Sequence, residues 1–175
     1  MTTKVVVLGA LLGVVVLSAG SAQAQMQPIA AAQEVMRFAG EWTGTGSFTD
    51  ETGTAELALS VTCSSAAGGA GVMCSTRFVG PEGVPTMEEA VLFGGDNGDG
   101  LLHFFSITSD GSGHDHKGSF NGVDAFTFEY VGPMGGQVFI ERIQFSFSAE
   151  NALHFESVGS LGSTQIFAFT GDMTK

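Results

Sequence analysis

From Gly40 onward the chain alternates. Apolar and polar residues exchange places with a period of two in ten short runs: GEWTGTGSFT, AELALSVTC, VMCSTRFV, TMEEAVLF, LLHFFSITS, HDHKGSF, DAFTFEYV, QVFIERIQFSFS, ALHFESVG and TQIFAFTG. Glycine-rich, Asn-Gly or Asp-Gly signals separate them, and a period of two bounded by turns is the mark of half-buried strands. Only PIAAAQEVMRF, Pro28 to Phe38, reads as a helix, with proline near its start and Gly40 just past its end. Regular short strands without crossover helices predict an all-β protein. The expected fold is an antiparallel up-and-down β-barrel of about ten strands, closed so that no edge is left unpaired, with a short N-terminal capping helix.

The same alternation predicts which rings face inward. Phe126, Phe128 and Tyr130 share one face, as do Phe139, Ile143, Phe145 and Phe147, and as do Phe167 and Phe169. Such rows fill a core or, in a barrel of about ten strands, line a cavity.

The opening stretch has a different pattern. Lys4 precedes an apolar run from Val5 to Leu17, and small residues lead to Ala22-Gln23-Ala24. That order predicts a signal peptide, residues 1–24, cleaved near Ala24, and a single domain over 25–175. The run is too short to span a membrane. The expected location is therefore periplasmic or secreted. Once Lys4 is removed, five basic residues face eighteen acidic ones. So acidic a surface repels phosphate backbones and anionic lipid, which excludes nucleic acid as a partner.

Cys63 and Cys74 flank SSAAGGAGVM, and a turn centred near Gly68-Gly69 would set them opposite each other. An oxidising compartment then favours a cross-strand disulfide over a redox or metal pair, for which the spacing is wrong. GDNGDG, residues 95–100, partly matches a calcium-binding nonapeptide, but a single copy reads better as a turn.

His114-Asp115-His116 is the most conspicuous polar cluster. On a strand the two imidazoles share a face and could hold a divalent metal, with His103 as the third ligand. A two-residue turn at Asp110-Gly111 would place His103 diagonal to His116, roughly 7 to 8 Å away. A four-residue loop would move it to about 13 Å. The plain alternative is a solvated pair beside a turn.

Glu141 shares its face with Phe139, Ile143, Phe145 and Phe147, so it needs a partner or a proton. Arg77 is the better partner, because Arg142 is adjacent to Glu141 and points the other way. The candidate ligand-binding set is Trp42, Arg77, His103, Phe105, Phe126, Phe128, Tyr130, Glu141 and Arg142. No Gly-x-Ser-x-Gly elbow, His-Glu-x-x-His helix or phosphate loop is present.

Phe38-Ala39-Gly40-Glu41-Trp42, a short helix followed by Gly-x-Trp on the first strand, resembles the entry to a calycin barrel, the group of lipocalins and fatty-acid-binding proteins. The continuation Trp42-x-Gly44-x-Gly46 is similar to nitrobindin-like haem barrels and to exported lipocalin-like families, and Gly113-His-Asp-His-Lys-Gly118 looks like the latter. The resemblance implies a helix capping one end, a tryptophan across the base and a carried ligand. Nitrobindin-like barrels place a haem-ligating histidine near the last strand, where GSTQIFAFTGDMTK has none, so no haem is expected.

These features predict a monomeric exported barrel that holds a small, largely apolar molecule, oriented by one or two polar groups. Two other readings are a metal- or histidine-assisted enzyme at His103, His114 and His116, and an envelope interaction protein using Val84, Met87 or Met134.

Overall fold

The structure, a computed structural model, describes residues 33–96, 98–121 and 124–175. The expected signal peptide and residues 28–32 of the expected helix lie outside the described residues. Residues 33–35 are helical and tighten into a 3-10 turn at Met36–Phe38. Gly40, at φ +129°, then redirects the chain into the sheet, a conformation that other residues rarely adopt.

Ten strands follow: β1 Gly40–Asp50, β2 Gly53–Ala66, β3 Gly71–Val79, β4 Met87–Gly95, β5 Leu102–Thr108, β6 Gly113–Phe120, β7 Ala125–Met134, β8 Gln137–Ala149, β9 Ala152–Leu161 and β10 Thr164–Thr174. Each pairs antiparallel with its neighbours in sequence, and β10 returns to β1 from Thr43↔Thr174 to Asp50↔Phe167. The barrel is closed, and every sequence run occupies one strand.

Glycines thin one wall of the barrel. Gly46 pairs with Gly171 across the closing seam. A Cβ at Gly46 would meet the Phe169 ring at 2.8 Å, and one at Gly171 would meet Phe155 at 2.6 Å and Leu59 at 2.9 Å. Gly46 and Gly171 thus leave room for large side chains from β2, β9 and β10, while Gly44 lets the β10 backbone approach closely.

One end of the barrel is sealed by aromatic packing. The Phe38 ring stacks on Phe93 with centroids 4.6 Å apart and meets Phe145 and Phe147 edge-on at 5.2 and 5.1 Å. Trp42 is buried, and its indole N–H donates to the Phe38 carbonyl at 2.7 Å. Lys175 Nζ lies 4.5 Å above the Trp42 ring and donates to the Arg37 carbonyl at 3.0 Å. The Arg37 guanidinium covers Phe147 at 4.3 Å and pairs with Asp124 at 2.7 Å. The helical turn therefore closes the base, and any opening must lie at the other end.

Cys63 and Cys74 pair directly across β2 and β3 and form a disulfide. The turn between them passes through Gly68 and Gly69 at φ +70° and +96°, where the sequence places it. Replacing both cysteines by serine should lower unfolding free energy by about 2 to 4 kcal/mol, because the crosslink restricts the unfolded chain. Chemical denaturation checks this, with a lowered midpoint and retained β-sheet circular dichroism expected.

Candidate functional site

The barrel is not filled. A cavity of about 440 Å³ runs upward from Phe38 and Trp42 toward exposed Asp110, Ser112 and Met134, which mark its mouth. Its lower walls are Phe93, Phe104, Phe145, Phe155 and Phe169, with Phe126 and Phe128 packed behind them at the base. Gly118 lies opposite Phe128, and a Cβ there would run into the Phe128 ring and the Thr127 carbonyl. The base is therefore dense and the upper half open.

A polar band crosses the upper half. Thr76 on β3 pairs with Glu89 on β4, and Glu89 accepts a hydrogen bond from Ser106 on β5. Ser106 pairs with His114 on β6, and Tyr130 on β7 pairs with Glu141 on β8. Ser157 on β9 donates to Glu141 Oε1 at 2.9 Å. His116 Nε2 lies 3.0 Å and His114 Nδ1 3.5 Å from Glu141 Oε2. His116 is buried, with Nδ1 3.3 Å from the Phe104 carbonyl. The Tyr130 ring stacks on His114 at 4.1 Å with planes only 9° apart.

Burial alone would push the Glu141 carboxyl up. The hydrogen bond and charge of His116, the Ser157 hydroxyl and His114 outweigh it and hold the group below its ordinary value. Glu89 behaves in the opposite way. Burial pushes it up to about 7; Ser106 partly offsets this, the Glu141 charge reinforces it, and His116 opposes it. Between about pH 4.5 and pH 7 the cavity thus favours a protonated Glu89 beside an ionised Glu141.

The structure gathers some expected residues and disperses others. Trp42, Phe126, Phe128, Tyr130 and Glu141 face inward, as do His114 and His116. His103 does not join them. It pairs with Lys117 in register, and its ring is braced on the outer wall by Asp115 at 2.8 Å and Asp99 at 3.2 Å. The cause is the β5–β6 loop. Ile107 faces Gly113, which leaves the five residues 108–112 between the strands, an odd number. Both loops considered from the sequence are even, and a slip of one residue moves every side chain to the other face. The Asp110 carboxylate holds this loop by accepting from the Thr108 hydroxyl at 2.6 Å and the Ser112 amide at 2.8 Å.

Arg77 also points outward, because Cys74, Thr76 and Phe78 take the inner positions of β3; it lies 3.8 Å from Glu88, not near Glu141. Arg142 pairs with Glu129 on the outer face at 2.6 Å. Phe105 is exposed in an outer row with Leu92 and Met73. Glu89, Ser106 and Ser157 are absent from the sequence-based set, although each shares parity with buried neighbours: Glu89 with Val91 and Phe93, Ser106 with Phe104, and Ser157 with Phe155. The parity rule that selects Glu141 selects them too.

Comparison with protein-family models and with curated proteins finds no match. Among solved structures, the S-type phycobiliprotein lyase CPES of Guillardia theta matches with a TM-score of 0.55 at 10% identity, over 86% of this chain and 94% of that one. At that identity the likeness is one of fold alone.

Glu89 generates a pH dependence. The folded protein keeps a proton that the unfolded chain releases near 4.5, so stability should fall as pH rises from about 4.5 to about 7 and then level off. The loss is at most roughly 3 kcal/mol. Urea unfolding of the wild type and Glu89→Gln, at about pH 5 and about pH 8, isolates this contribution: the variant should gain relative stability at the higher pH.

Proposed function

We propose that this protein is an exported binding protein that carries a small molecule with a largely apolar body inside its barrel. The observation that supports this best is the cavity of about 440 Å³, apolar below and polar along one upper band. A pocket of this size suits a compact organic ligand, with its body among the phenylalanines and its polar end beside Glu89, Glu141 and His114. Among the described residues no lysine or arginine lines the cavity. In the metal-free cavity a carboxylate would therefore meet ionised Glu141 without a permanent cation, so the head group should instead donate hydrogen bonds or carry positive charge.

Support for export comes from the signal-like residues 1–24 and from the disulfide, which persists in oxidising compartments. The protein works as a monomer in this reading, since the closed barrel leaves no strand edge to pair with a second copy.

Two measurements test the proposal. Native and denatured masses of protein purified from the exported fraction should differ by a bound organic molecule. After delipidation, the neutral fluorophore N-phenylnaphthylamine should bind with a blue-shifted emission. Thr76→Trp, which places an indole in the cavity, should weaken that binding by about tenfold or more. Met73→Trp adds the same ring to the outer face of β3 and should leave it unchanged. Equal binding by both variants would show that the fluorophore sits outside the barrel and would defeat the proposal.

A further inference from the structure

We propose that His114, His116 and Glu141 form a binding site for one divalent first-row transition-metal ion, of the zinc type, in the cavity wall. One ligand atom from each residue lies within 4.8 Å of the others. Around a tetrahedral ion with bonds of about 2.0 to 2.1 Å, donor atoms stand roughly 3.3 Å apart. The two distances to Glu141 Oε2, 3.5 Å from His114 and 3.0 Å from His116, bracket that value.

Hydrogen-bond direction strengthens the case. With Nε2 bound to a metal, the remaining proton of His116 sits on Nδ1 and is donated to the Phe104 carbonyl. His116 Nε2 and His114 Nδ1 converge on the same oxygen, Glu141 Oε2. A metal ion at their centre would bond all three donor atoms at once. The supports around the donors are those a metal site needs. Phe104 fixes the His116 tautomer, Ser157 orients the far carboxylate oxygen, and Tyr130 holds the plane of His114.

Two imidazoles and one carboxylate favour zinc or a neighbouring transition metal over calcium or magnesium, which take mainly oxygen. Three protein ligands leave a further position open, the arrangement of reactive rather than structural metal sites. His114 and Glu141 both line the cavity, so that position faces into it. The metal itself stands independently of the carrier reading; only its assignment as the anchor for an oxygen- or nitrogen-donor ligand rests on that reading.

The test uses chelator-stripped full-length protein titrated with cobalt(II), followed by zinc. Cobalt should give the intense visible d–d bands of a four-coordinate site at one equivalent, and one equivalent of zinc should abolish them. His114→Ala and the isosteric Glu141→Gln should each weaken cobalt binding by at least about tenfold, with the cooperative thermal transition retained. His103→Ala, which removes the imidazole of the outer Asp96, Asp99 and His103 cluster, should change nothing. Weak six-coordinate bands, or loss of binding in His103→Ala but not in His114→Ala, would overturn the proposal. N-phenylnaphthylamine binding to the same samples separates the two readings. A bound fluorophore without cobalt leaves the cavity and removes the metal; cobalt bound without the fluorophore does the reverse.

Discussion

Closure of the sheet is the constraint on which the molecule depends. Once β10 pairs with β1, each strand's register is fixed from both sides, and alternate residues must all enter the barrel or all leave it. This is why glutamates and histidines can be held among phenylalanines. Glu141 cannot rotate to solvent without reversing a strand that also carries Phe139, Ile143, Phe145 and Phe147 inward. The polar band is therefore retained by apolar residues on the same strands, which make its burial cost tolerable.

The two halves of the barrel divide the work. Below, Phe38, Phe93, Phe104, Phe126, Phe128, Phe145 and Phe147 interlock, and the helical turn seals them with Trp42. Above, residues of the same parity become threonine, serine, glutamate and histidine, and packing gives way to space. The dense half supplies stability, so the upper half can carry groups that would not stabilise a fold by themselves. The disulfide lies low in the barrel, between β2 and β3, on the side of the sealed base.

Much of this is legible in the sequence, and the remainder is set by how strands meet rather than by any one strand. Period-two patterning located all ten strands, and the inward rows of β7 and β8 followed from it. The cysteine pair was legible because its turn is short and rich in glycine. His114, His116 and Glu141 were each readable as inward, but their meeting was not. It depends on β6, β7 and β8 being adjacent and on a stagger that no single strand encodes. The length of one loop sets the parity of His103, and Asp110 braces a five-residue connection where a loop of two or four would turn the imidazole inward. Arg77 was assigned inward by the need of Glu141 for a partner, although its own strand places it outside.

The chain contains one tryptophan and one tyrosine, and the fold puts them to different uses. Trp42 is fixed in the sealed base beneath Lys175, while Tyr130 lies flat on His114 at the cavity wall. The molecule therefore carries two intrinsic chromophores with separate surroundings. Loosening of the base registers in the indole emission, and any change of charge or occupancy at the imidazole registers in the phenol. The state of the sealed base and the state of the His114 imidazole become distinguishable by light, in protein that has never been labelled.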